Sequence, residues 1–178
     1  MTIHTGHPFA TPDEARDPVR RLRGRIGGTV SLWTAGDGAD RAGLTITSYL
    51  VAAGEPSRVL GLLHPDSDLL ERLQETRRAV VQLLEWRHRD VAEVFAGLMP
   101  APGGPYRSGT WEQTTWGPRL VGASAWAGIR LAEPPEGDVA TRTVGWSTLV
   151  EAVIDHVEIG EEVHPLVHRR GRYQRPPG

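Results

Sequence analysis

The 178-residue sequence predicts a mainly β fold, a β-barrel with short helices outside it. Three observations lead there. Roughly six or seven stretches carry strand patterns, against only a few short helical ones. The elements do not alternate strand with helix, which argues against a doubly wound sheet. No linker or internal repeat divides the chain, and a single domain of this length can bury a substantial core.

Composition narrows the function classes. With 39% hydrophobic and 24% charged residues the chain reads as globular, and its formal charge of −2 gives no argument for nucleic acid or an anionic membrane as partner. All basic residues are arginine. Cysteine is absent, which excludes disulfides, thiolate metal sites and cysteine nucleophiles. The N-terminus lacks a basic region followed by an apolar run, and no stretch reaches the roughly 20 apolar residues of a membrane span, so a soluble cytoplasmic protein is expected.

Residues 1–11 read as a loose arm, and Pro12 to Arg23 as a short helix with Thr11 as N-cap and Pro12 in its first turn. Gly27-Gly28 breaks that helix. Thr29 to Ala35 reads as the first strand, and Gly36-Asp37-Gly38 has the residue types of a hairpin turn. Strands follow at about 42–50 and 57–64, joined by a turn at Gly54-Glu55-Pro56. In the first of these, alternation puts Leu44 and Ile46 on one face and Thr45, Thr47 and Tyr49 on the other. The second face offers hydroxyls and backbone amides to a polar planar ligand; a plain edge strand has the same composition. Asp68-Leu69-Leu70-Glu71 has the form of a helix start, with Leu69, Leu70 and Leu73 as its apolar stripe. Ala79 to Leu84 reads as a buried strand and Arg89 to Ala96 as a short helix closed by Gly97.

Leu98 to Pro118 is a long loop carrying Tyr106, Trp111 and Trp116. Arg119 to Glu133 reads as one long strand, apolar at Val121, Ala123, Ala125, Ala127, Ile129 and Leu131. Pro134 to Asp138 turns the chain. Thr141 to Val157 reads as a further long strand, and His164 to Arg169 as a last short one before a polar tail.

Familiar catalytic devices are missing. There is no Gly-x-Gly-x-x-Gly, no Walker A loop and no His-Glu-x-x-His. His164 and His168, with Glu158, Glu161 and Glu162 nearby, make a metal site only on paper; histidines beside surface acids are the expectation, and no metal is assigned. Ser108 and Ser124 lack a nucleophile-elbow context.

Several segments together resemble one family. Gly43-Leu44-Thr45-Ile46-Thr47-Ser48-Tyr49, then Pro56, Val59 to Leu63, Asp66-Ser67-Asp68 and Val80 to Leu84 resemble the flavin reductase-like proteins, in the family's order. Val91 to Gly97, Pro118-Arg119-Leu120, Gly137-Asp138, Val144-Gly145, Pro165-Leu166-Val167 and Arg170 to Tyr173 extend the match over roughly residues 25–173. The resemblance implies a split β-barrel, FMN as cofactor with FAD or the deazaflavin F420 as alternatives, NAD(P)H as possible reductant, and a homodimer. It divides the chain into an N-terminal arm and helix at 1–24, the barrel domain at 25–173 and a tail at 174–178.

Carried over by position, the resemblance implies that Thr45, Ile46, Thr47 and Ser48 line the flavin ring or ribityl chain, and that His64 and Ser67 belong to the phosphate loop at a helix start. The family loop has a basic residue beside the serine; here Asp66 and Asp68 flank it. Trp146 stands near the position of a family histidine that lies by the nicotinamide. No catalytic acid or base is assigned, because a bound flavin carries the chemistry. The leading expectation is a flavin-binding, NAD(P)H-dependent FMN or flavin reductase. The alternatives are a flavin or deazaflavin binding module without turnover, and a dimeric structural protein on the same barrel.

Overall fold

The structure, a computed structural model, describes residues 17–133 and 141–176. Helix α1 spans Pro18–Ile26, with Asp17 as N-cap accepting from the Val19 amide at 2.9 Å and Pro18 in the first turn. The expected start at Thr11 and Pro12 lies outside the described residues, and the helix runs past Arg23 to the Gly27 break.

The expected strand at 29–35 divides at Val30. Strand β1 (Gly28–Thr29) pairs with β12 (Val167–Arg169), while β2 (Ser31–Ala35) enters the main sheet. The strand expected at 42–50 also divides, into β3 (Ala42–Ile46) and β4 (Tyr49–Ala52), with a kink at Thr47-Ser48. Next come β5 (Arg58–Leu63), α2 (Asp68–Thr76), β6 (Arg78–Leu83) and α3 (Arg89–Phe95). The N-cap of α2 is Ser67 rather than Asp68, because the serine hydroxyl reaches the Leu70 amide at 3.3 Å.

Within the long loop, β7 (Trp111–Gln113) and β8 (Pro118–Leu120) form a two-stranded sheet. The strand expected at 119–133 is therefore interrupted: β8 ends at Leu120 and β9 (Ala125–Leu131) begins after a turn, leaving Val121 exposed. The strand expected at 141–157 is a hairpin, β10 (Thr141–Val144) and β11 (Ser147–Ile159), turning at Gly145-Trp146 with Gly145 at φ +57°. A last strand, β13 (Arg172–Gln174), pairs with β12.

The main sheet runs β3-β2-β6-β9-β11-β5-β4, with β10 on β11. Strand β11 is the joint. Its far half, Ala152 to Ile159, lies against β9, while its near half, Thr148 to Val153, lies against β5 and turns its other edge to β10. The sheet curls over one core of Trp33, Leu63, Leu69, Leu73, Ile129 and Val150, closed by the apolar stripe of α2. A second core lies under α3 and the long loop, where Phe95, Tyr106 and Trp111 meet with ring centres 4.8–5.5 Å apart. These two loop aromatics are thereby spent on packing.

Candidate functional site

The kink between β3 and β4 sorts the four residues Thr45 to Ser48. Ile46 is buried in the first core, and its carbonyl accepts from the Ser31 hydroxyl at 2.9 Å. The Thr45 hydroxyl donates to the Ala92 carbonyl of α3 at 2.8 Å and fastens that helix to the sheet. Tyr49 does not share a face with Thr45 and Thr47: the kink turns it to pack on the first core beside Leu44, where burial pushes its phenol up to about 12. The hydroxyl face expected from alternation is therefore not continuous. Thr47 and Ser48 stay half-buried at the kink. The Ser48 carbonyl accepts from the Leu62 amide at 2.9 Å, and Gly28 abuts the Thr47 carbonyl so closely that a Cβ there would sit 3.1 Å from it.

The loop 64–68 is folded on itself. The Ser67 hydroxyl donates to the His64 carbonyl at 2.8 Å while capping α2, and His64 Nδ1 accepts from the Asp66 amide at 3.2 Å. The cap is worth about 1 kcal/mol and leaves the serine little to offer a ligand. Further amides of the α2 first turn, with the positive end of the helix dipole, are what an anion would meet here. Asp66 and Asp68 are exposed beside it.

Register brings these pieces to one end of the sheet. Ser48 bonds Leu62; Leu63 faces Thr148 across the β5–β11 ladder; and Thr148 lies two residues from the hairpin tip. Thr47, Ser48, the 64–67 loop and Trp146 thus share one region, whereas Thr45 and Ile46 are turned inward. Trp146 is neither a core residue nor in mid-strand: it is 81% exposed, and the Arg20 guanidinium lies 5.8 Å from its ring centre. Gly28 and Leu62 adjoin this region, and nothing local in the sequence marks them. Gly28 reads there only as a helix breaker, and Leu62 only as one apolar strand residue.

His164 contacts Arg175, and His168 packs on Tyr173 with ring centres 5.4 Å apart. Among the described residues no group of three or more His, Asp or Glu could hold a metal, and no helix is long and apolar enough to cross a membrane.

Comparison with known proteins gives one consistent answer. The profile of the flavin reductase like domain matches residues 23–177. The reductase component of 4-hydroxyphenylacetate 3-monooxygenase from Thermus thermophilus is 28% identical over 161 residues, covering 90% of this chain and 96% of that protein. An NADH:FAD oxidoreductase of Streptomyces globisporus has the same fold, with a TM-score of 0.78 at 20% identity over 94% of this chain and 96% of its own. So does the styrene monooxygenase flavin reductase of Pseudomonas putida, at 0.76 and 21% over 90% of this chain and 98% of its own. A mainly β half-barrel with a polar kink at one sheet end, matched over nearly its full length by that profile, belongs to the flavin reductase-like family of oxidoreductases.

Proposed function

We propose that this chain is an NAD(P)H-dependent flavin reductase, active as a cytoplasmic homodimer, that uses FMN in preference to FAD. The observation that carries this reading is the convergence of Thr47, Ser48, the α2 start and Trp146 at one end of the sheet in a chain of this family. That donor set fits a polar, planar ligand with a phosphate: half-buried hydroxyls for its edge, helix amides for its anion, and an exposed indole for its face. Bound flavin would supply the redox chemistry, accepting the hydride of the reduced nicotinamide and passing two electrons to its acceptor.

The chain's own residues bind and orient. Thr47 and Ser48 would hold the polar edge of the ring by hydroxyls and backbone amides, with Thr45 and Ile46 fixing that backbone from behind through α3 and the core. The His64–Ser67 loop would present the α2 amides to the phosphate. Trp146 would cover one ring face. The outer faces of β4, β5 and β11 support the homodimer. Leu50 lies opposite Leu60, and Leu62 opposite Leu149, with Leu50 72% and Leu62 38% exposed in the single chain. An apolar sheet face of this kind is suited to a second copy.

The test follows consumption of reduced nicotinamide with FMN, with FAD and with no flavin. Flavin-dependent consumption is expected, and Ser48→Ala should weaken flavin binding by roughly two- to tenfold, the value of one neutral hydrogen bond. Absence of consumption with either flavin would sink the reductase reading.

A further inference from the structure

The fold brings two arginine-rich segments together next to this region. Arg20, Arg21, Arg23 and Arg25 come from α1, and Arg169, Arg170 and Arg172 from the β12–β13 hairpin, well over a hundred residues away in sequence. Two hydrogen bonds dock the segments: the Arg170 amide to the Gly24 carbonyl at 2.8 Å, and Arg169 Nε to the Arg25 carbonyl at 3.1 Å. All seven side chains are exposed.

Among the described residues no ion pair neutralises this concentration. The arginine–carboxylate ion pairs among the described residues engage Arg58, Arg72, Arg87, Arg89, Arg119 and Arg130, and none of the seven. Arg169 stands directly opposite Arg172 across the hairpin, an arrangement that costs stability between like charges. Arg170 occupies a left-handed turn position at φ +53°, where asparagine or glycine is favoured. His168 registers the same field: burial first, and then the charge of Arg23, hold its pKa below the usual 6.5. The chain as a whole carries −2, so this local excess of arginine runs against the overall balance.

Position gives the face its ligand. It is continuous with the candidate site at two points: Arg20 over the Trp146 ring, and β1, which pairs Gly28 with His168 while abutting Thr47. Guanidinium groups not held in ion pairs suit a phosphate monoester dianion, which takes paired N–H donors, whereas a bare ribose diol is recognised by an acid. We propose that α1 and the β12–β13 hairpin bind the phosphate-bearing ribose of the nicotinamide nucleotide and make this enzyme select NADPH over NADH. The proposal rests on the reductase reading above and adds the choice of reductant to it.

Two measurements test it separately from that reading. The first titrates adenosine 2′,5′-bisphosphate and adenosine 5′-monophosphate into the full-length protein, followed by intrinsic tryptophan fluorescence and by calorimetry, and needs no turnover. The bisphosphate should bind at least about tenfold tighter, and Arg20→Gln/Arg23→Gln/Arg172→Gln should remove that margin while the melting temperature holds. The second compares KM for NADPH and NADH with added flavin. NADPH should be favoured, its KM should rise with salt, and the triple variant should raise it about tenfold with little change for NADH. If flavin reduction is absent but the bisphosphate margin is present, the reductase reading fails and the phosphate face stands. Equal affinity for the two adenosine nucleotides, a margin unaffected by the triple variant, or tighter binding of a short DNA duplex than of the bisphosphate would overturn the proposal.

Discussion

The two halves of the main sheet are built from similar residues and treated in opposite ways. In the half formed by β2, β6 and β9, both faces are covered. All five residues of β2 are buried, and so are Ala79 to Gln82 of β6. The outer face lies under the long loop, and its polar groups are bonded: Thr34 to the Pro118 carbonyl at 2.5 Å, Gln82 Nε2 to Thr34 at 3.2 Å, and the Leu120 amide to Gln82 Oε1 at 2.7 Å. In the half formed by β4, β5, β10 and the near end of β11, only the inner face is covered. Leu50, Leu62, Val144 and Trp146 all stand exposed in this half. The chain invests its connections in closing one half and leaves the other open, and the open half holds the kink, the α2 start and the hairpin tip.

Four measurements break or sharpen this contrast. The largest effect belongs to the closed half. Trp33→Ala removes a fully buried indole that donates to Ser31 at 3.0 Å and packs on Gly61, and should cost about 3–5 kcal/mol in denaturant unfolding. A cost under about 1 kcal/mol would mean that the ring is not the keystone of that core.

Next comes Gln82→Leu. It keeps the volume and strands the buried Leu120 amide, for an expected loss of about 1–3 kcal/mol. An unchanged midpoint would show that the loop–sheet bond contributes nothing net.

The third is a pH effect at the edge of the closed half. His88 is buried, with its Nδ1 accepting from the Glu85 amide at 3.2 Å; burial first, and then Arg87, hold its pKa below 6.5, while Glu85 acts in the opposite direction. The unfolded chain therefore binds the proton more readily, so stability is full above 6.5 and falls as the pH drops below it toward the lower folded value. His168 shifts in the same direction and adds to the slope. Unfolding midpoints measured across this range should decline less steeply in His88→Gln; an identical slope would remove His88 from the account.

The smallest effect on the fold is expected in the open half. Leu50→Ser/Leu62→Ser should leave the unfolding free energy of dilute protein within about 0.5 kcal/mol per site and shift sedimentation from dimer to monomer. A loss comparable to that of Trp33→Ala would show this face to be core as well, and the contrast would disappear.

The sequence by itself determined the class of the fold, most of the strands, the apolar stripe of α2 and the family. The first three rest on local periodicity, and the family on short motifs in a shared order along the chain. It also pointed to the regions that hold Ser48, Ser67 and Trp146. Tertiary structure alone decided how those residues are used. Nothing local marks the kink at Thr47-Ser48, because threonine and serine fit a continuing strand as well as a break; the break follows from β3 pairing with β2 while β4 pairs with β5. Nor does periodicity reveal that Thr45 spends its hydroxyl on Ala92, that Gly145-Trp146 is a turn, or that the arginines of α1 meet those of β12 and β13. Those outcomes depend on partners tens to more than a hundred residues away, and such pairings are settled by which surfaces the whole chain can bury together.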